Sequence, residues 1–311
     1  MISYMTTLSP AGGEPSVSAR SRYSIAWLRS LGEQSLFIGS RLLWALFILF
    51  VIAYVAFAGL EMARGTQPLE ALVIGWQSLL QWLQGILHGS LGSSYSVSLG
   101  SRPVAVTEVL PRMVMRSLVL LAATMLIAFA IGLPLGFLAA RHRNSPLATF
   151  TLLLSILGAS LPSFFVALLL QMAVIAWVQR TGGPAPLPVG GFGFDAHLIL
   201  PALVLATRPI AQLARISFLS LDEVLDQDYI RTAWAKGLRE TSVWIGHVAR
   251  NAAIPITTTI ATSLRFALSS LPVVELYFGW PGIGYNLLRA IGFRDDNLAV
   301  ALLVSLGALF I

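Results

Sequence analysis

Five apolar runs, each long enough to cross a bilayer, leave this chain few possible folds. They cover about residues 42–60, 117–140, 148–178, 198–220 and 252–274, and a helix needs about 20 mostly apolar residues to span the hydrocarbon core. Inside lipid every backbone amide must be paired internally, so such runs fold as helices. The composition agrees: 56% of the 311 residues are hydrophobic and 11% charged, and the mean hydropathy is +0.79. A soluble chain would carry about twice that charge. The expected fold is therefore an all-α polytopic membrane protein with about six transmembrane helices. A sixth run, 298–311, stops after 14 residues, about 21 Å of helix and too short to cross, so the native chain is expected to continue past Ile311.

Charge placement orients these spans. The formal net charge is +6, yet the basic residues sit at the ends of apolar runs rather than in one patch, which excludes nucleic acid as a partner and makes them topology signals. Arg20, Arg22, Arg29 and Arg41 precede the first run, so residues 1–41 are expected to be cytoplasmic and residues 42–311 to form the transmembrane domain. Within the N-terminal part, the Ser/Gly/Pro-rich residues 1–22 are expected to be disordered, and they lack the apolar core of a signal peptide. Residues 23–40 are mildly amphipathic and suited to the membrane surface. The mixed segment 61–116 then falls outside the cell, and Arg141, His142 and Arg143 mark a cytoplasmic loop. Pro162 is expected to kink the third run, read as one bent span in preference to two half-helices.

Catalytic chemistry is hard to find. Cysteine is absent, which removes disulfides and thiolate metal sites. His88, His142, His197 and His247 lie in separate segments without metal-ligand spacing. Asp222, Glu223, Asp226 and Asp228 read as a solvated helix face rather than an acid/base cluster. The only lysine, Lys236, sits between Ala235 and Gly237, so no Gly-Lys-Ser/Thr phosphate loop exists and the chain cannot hydrolyse ATP by that route. No cofactor is expected to bind this chain.

The densest charge lies in residues 228–255. Leu221, Val224, Leu225, Tyr229 and Ala233 fall on one helical stripe. Gly237 stands where a helix C-terminus favours positive φ, and Thr241 is placed to cap a second helix through Val243, Trp244, His247 and Val248 that ends near Pro255. The expectation is a helix–glycine–helix elbow within the loop 221–252, a shape suited to docking.

The wording of this stretch, DYIRTAWAKGL followed by RNAAIP, resembles the cytoplasmic coupling loop of importer-type ABC permeases in their dipeptide/oligopeptide/nickel branch. Asp228, Tyr229, Arg231, Thr232, Ala233, Ala235, Lys236, Gly237, Leu238, Arg250, Asn251, Ala252 and Pro255 carry the match. The resemblance extends over about residues 87–311, through Leu91, Gly92, Ser94, Pro103, Val104, Ser160, Pro162 and Phe164, then Glu275, Phe278, Pro281, Gly282, Gly284, Arg294 and Asp295. The branch's Pro-Gly-Asp-Pro motif after the first span is missing.

This resemblance implies a non-catalytic permease subunit of the inner membrane, forming half of a translocation path for di- or oligopeptides, with nickel or another small solute as alternative cargo. It implies a second, related permease in a heterodimer, two ABC ATPase subunits holding ATP and Mg, and an extracytoplasmic solute-binding protein. It assigns ATPase coupling to Asp228, Tyr229, Arg231, Thr232, Ala233, Lys236, Gly237 and Leu238. It further assigns part of an external gate to Glu275, Phe278, Pro281, Gly282 and Gly284, against a plainer reading of Trp280 and Pro281 as an interfacial turn. Arg208 and Arg265 lie inside spans, where charge is costly. Either one faces the path and meets a peptide carboxylate, or each pairs with a partner group or with backbone carbonyls at the subunit interface. From a different class, an ion-coupled secondary transporter would show internal repeats and carboxylates at the centres of its spans, and neither is evident. A membrane scaffold without transport is a third reading.

Overall fold

The computed structural model describes residues 17–97 and 102–311, with side chains from Phe37 onward. It divides into two units, Met1–Val51 and Ile52–Ile311. Helix α1 (Val17–Ala63) is followed by α2 (Pro68–Leu87), a two-residue antiparallel hairpin of β1 (Ser93–Ser94) and β2 (Val104–Ala105), and α3 (Val106–Arg141). Next come α4 (Pro146–Ser160), α5 (Ser163–Thr181), α6 (Ile199–Leu225), α7 (Asp228–Ala235) and α8 (Glu240–Val243). The last helices are α9 (Arg250–Phe278), α10 (Ile283–Gly292) and α11 (Asp296–Phe310). The all-α expectation holds. By length and composition Phe37–Ala63, Val106–Arg141, Ser163–Thr181 and Ala196–Leu225 can cross a membrane. Helix α9 has the length, at 29 residues, but its hydroxyls and Arg265 make it too polar to join them.

Several expectations change. The predicted disorder of residues 1–22 lies outside the described residues up to 16, and from Val17 the backbone is helical without interruption to Ala63. The side chains of Arg20, Arg22 and Arg29 lie outside the description. In the mixed segment 61–116, α2 buries Ala71, Gly75, Leu79 and Trp82 on one face, and α3 begins at Val106 rather than Ser117. The third run is broken, not bent. Leu161 and Pro162 are extended, with ψ of 130° and 140°, because a proline pushes the residue before it out of the helical region and lacks the amide that would continue the ladder.

Helices α3 and α6 make the central crossing. Ala128, Gly132, Gly136 and Ala140 recur every four residues on α3 and are buried. A Cβ on Gly136 would lie 2.6 Å from the Ala214 carbonyl oxygen and from Ser217 Cβ, and one on Gly132 would lie 2.9 Å from Leu213 Cβ. Small residues at this spacing let two membrane helices approach closely, where packing rather than hydrophobic exclusion holds them. One apolar core surrounds Leu120, Leu205, Leu268, Leu271, Phe278 and Trp280. The other joins Ala139, Ala140, Phe218, Ile230, Val243 and Val248.

Gly136→Ala should lower the thermal unfolding temperature of the detergent-purified protein, and Gly136→Leu should lower it further, by an amount matching ~1–3 kcal/mol of overpacking. Alanine is the better helix former by about 1 kcal/mol, so a stabilised Gly136→Ala variant would contradict this close crossing.

Candidate functional site

The candidate residues collect at the two ends of α9. At its N-terminal end stands the elbow. Helix α6 stops at Leu225, and Gln227 is extended (φ −72°, ψ 143°) before α7 begins. The expected stripe from Leu221 to Ala233 is therefore not one helix. The face of α7 turned inward is Ile230 and Ala233, packed into the core with Val243 and Val248, while Tyr229 is exposed. Ile230 anchors the elbow, and a sequence stripe drawn through the break passes it by.

Gly237 adopts φ +71°, which closes α7 through amide bonds from Gly237 to Trp234 and from Leu238 to Ala233. The second arm starts after Arg239 rather than at Thr241, and it does not end near Pro255. Helix α8 passes through wider π-type turns at Trp244–Ala249 directly into α9, leaving Pro255 inside that helix. The elbow's second arm and α9, which holds the fifth apolar run, are one continuous rod. Asp228, Tyr229, Arg231, Thr232, Lys236, Gly237 and Leu238 are all exposed, and Ala233 is buried. Arg143 bridges Asp226 (2.7 Å) and Asp222 (3.3 Å), and Arg141 reaches Glu240 (3.1 Å). Exposed pairs like these are worth at most about 1 kcal/mol each, but they tie the end of α3 and the turn after it to the end of α6 and to α8.

At the other end of α9, Glu275 is fully buried. Ser117 Oγ donates to Oε1 (2.5 Å), and the amides of Gly284 and Tyr285 donate to Oε2 (2.7 and 3.1 Å). Ser117 Oγ in turn accepts from the Ile283 amide (2.7 Å). The first-turn amides of α10, which have no partner within their own helix, thus meet a carboxylate from the preceding helix, favourable at the positive end of a helix dipole. A Cβ on Gly282 would land on the Glu275 carboxylate and Ser117 Oγ, and one on Gly284 would land on Pro272. Both glycines are dictated by what fills their Cβ space.

Trp280 is wholly buried, not an interfacial anchor. Its Nε1 donates to the Arg116 carbonyl (3.2 Å) and its ring meets Phe192 at 4.9 Å. The Phe278 carbonyl accepts from the Gly191 amide (2.7 Å), and Arg116 reaches the Pro281 carbonyl (3.4 Å). So Glu275, Phe278, Pro281, Gly282 and Gly284 form one assembly, to which Ser117 and Arg116 belong. Nothing about a single serine at the start of an apolar run announced that role.

Next to this assembly, Asp295 is also buried. Its Oδ2 accepts from Ser94 Oγ (2.5 Å), Ser96 Oγ (2.7 Å) and the amides of Tyr95 and Ser96 (both 3.0 Å), while Oδ1 caps α11 at the Leu298 amide (3.4 Å). Burial pushes the carboxyl up, but the donors from Ser94, Ser96 and Leu298 outweigh it and hold the group below its ordinary value. A depressed pKa stabilises the fold above the unfolded value and is lost as pH falls through the folded one, so this clasp survives to below about pH 4.

The two arginines of the fourth and fifth apolar runs part company. Arg208 Nε donates to the Ala159 carbonyl (3.0 Å) and its guanidinium lies 5.0 Å from the Phe266 ring centroid. It satisfies a backbone group orphaned where α4 breaks. Arg265 is exposed and has no hydrogen bond or ion pair among the described residues. No group of three or more His, Asp or Glu side chains that could hold a metal occurs among the described residues.

A multi-span helical bundle with an exposed elbow continuous with one of its long helices is an arrangement that suits a membrane permease subunit. Residues 132–311 match the family described as the binding-protein-dependent transport system inner membrane component, and the chain belongs to that family. It is 35% identical over 265 residues to the dipeptide transport system permease protein DppB of Escherichia coli, covering 76% of this chain and 77% of that protein. It is 38% identical over 236 residues to a Brucella abortus protein provisionally named a peptide transport system permease, covering 74% of this chain and 73% of the other. Membership makes the chain a non-catalytic permease of an ABC importer, whose ATPase is a separate subunit, and sets aside the ion-coupled and scaffold readings.

Glu275→Ala should destabilise the purified protein by ~2–4 kcal/mol, because Ser117 and two α10 amides lose a buried acceptor. Glu275→Gln keeps the shape and one acceptor oxygen and should lose less. Unfolding temperatures that matched the parent protein for Glu275→Ala would contradict the assignment.

Proposed function

We propose that this permease forms half of a transmembrane dimer with a related permease and imports di- or oligopeptides. Two ATPase subunits holding ATP and Mg drive it from the cytoplasm, and a solute-binding protein delivers cargo outside. The peptide cargo is supported by the names of the relatives. In this arrangement the N-terminus and the elbow are cytoplasmic, and the hairpin, α10 and Asp295 lie at the outer face.

The observation that carries the mechanism is the continuity of α8 with α9. Asp228, Tyr229, Arg231, Thr232, Lys236, Gly237 and Leu238 offer an exposed surface to an ATPase groove, while Ala233 seats α7 on the core with Ile230. Closure of the ATPases pushes on the elbow. Because its second arm is the start of α9, the push tilts that span as a rigid body. The far end of the same rod holds Glu275, and through it α10, the proposed external gate with Phe278, Pro281, Gly282 and Gly284. Rocking of α9 thus moves the inner and outer ends together, as alternating access requires.

Purification in mild detergent should bring down an ATPase whose rate rises with peptide and binding protein together. An ATPase indifferent to peptides would move the cargo to nickel or another small solute, and failure to recover any ATPase would overturn the proposal. Gly237 offers a sharper test, since its φ demands glycine or asparagine while nothing lies within 4 Å of a Cβ placed there. Gly237→Asn should keep the fold and fill the space left for the partner, so ATP hydrolysis should persist while uptake falls at least several-fold. Normal coupling in Gly237→Asn would contradict the docking role.

A further inference from the structure

We propose that the exposed face of α9 lines a water-filled path and that Arg265 engages the carboxylate of the passing peptide. This rests on the peptide-import reading and names the group in the path that recognises cargo. Thr258, Thr262, Arg265 and Ser269 are exposed at spacings of four, three and four residues, which places them on one face of α9. Ile254, Val273 and Leu276 close this face at its ends with exposed apolar side chains, so its middle is the polar part, whereas the exposed positions of α3, α4 and α5 include Leu126, Leu153, Leu157, Phe164 and Met172, side chains for lipid. A helix long enough to cross but polar along an open face belongs against water, not hydrocarbon.

Arg265 sits 15 residues from Arg250 and 13 from Phe278 in this 29-residue helix, about 20 Å of helix from either end. That is too deep for its guanidinium to snorkel to an interface. A charge at this depth is costly unless water or a partner meets it, and Arg265 has no partner among the described residues. Arg208, only partly exposed, is already occupied by the Ala159 carbonyl. The neighbouring hydroxyls do not supply donors: Thr258, Thr262 and Ser269 donate back to the carbonyls of Pro255, Thr259 and Phe266 (2.9, 2.9 and 2.8 Å). Their lone pairs stay outward for water, and Arg265 is the strong donor of the stripe. A guanidinium fork matches a carboxylate in bidentate geometry, and every peptide with a free C-terminus carries one.

The chain has no cysteine, so single cysteines report on it without background. In membranes holding the assembled importer, Thr258→Cys, Thr262→Cys and Ser269→Cys should react with a membrane-impermeant thiosulfonate at least tenfold faster than the lipid-facing control Leu126→Cys. Rates equal to that control would overturn the path, since the face would then lie in lipid or be sealed against another subunit. For cargo, the ratio of uptake of a free-acid peptide to its C-terminal amide should fall at least tenfold in Arg265→Gln and be largely restored in Arg265→Lys. An unchanged ratio would overturn the carboxylate role even if total uptake dropped. A parent complex that imports no peptide overturns the functional reading and the carboxylate with it, while the labelling still decides whether the face is wet.

Discussion

Hydrocarbon offers no partner to an unpaired backbone group, and three interruptions of this helical bundle are each answered by a particular side chain. Arg208 meets a carbonyl left over where Leu161 and Pro162 end α4. Glu275, with Ser117, takes up the amides that open α10. Asp295 opens α11 and, with its other oxygen, holds the hairpin. Buried polar groups of this kind are costly alone and specific when paired, so they fix which elements meet as much as how firmly. The apolar packing around them is permissive by comparison, apart from the small-residue crossing of α3 and α6, where shape leaves no choice.

Against that framework α9 does three things. Its first turn continues the second arm of the elbow, its last turn carries Glu275, and its middle presents Arg265 on an open face. The helix runs on through Pro255, so the elbow joins α9 with no loop between them. The π-type turns at Trp244–Ala249 lie between elbow and rod, where such local widenings often accompany function.

Much of this was legible in the residues. Apolar runs with arginines at their ends gave the class of fold, and the spacing from Asp228 to Leu238 gave the elbow and its glycine. What escaped detection has physical reasons. Prolines were ambiguous: Pro111, Pro134, Pro209, Pro255 and Pro272 all lie inside helices, whereas Pro162 follows the end of one. Neighbouring helices can re-satisfy the freed groups, and neighbours are invisible in a local window. For the same reason Ser117 carried no signal, since its role depends on Glu275, which lies 158 residues away. Ile230 was hidden behind an apolar stripe that ran through a real helix end at Leu225. In α2 the burial of Ala71, Gly75 and Leu79 at every fourth position was present in the sequence, but small residues make a weak stripe.

The central claim, that the elbow receives the ATPase and hands its motion to α9, is tested most directly by photo-crosslinking. A photoreactive residue at exposed Trp234 of α7, in the assembled importer in its membrane, should capture the ATPase subunit, and the yield should change when ATP is trapped. The same probe at Leu153, exposed on α4, should not capture it. Capture of the ATPase from both positions, or of only lipid or the second permease from Trp234, would contradict the account.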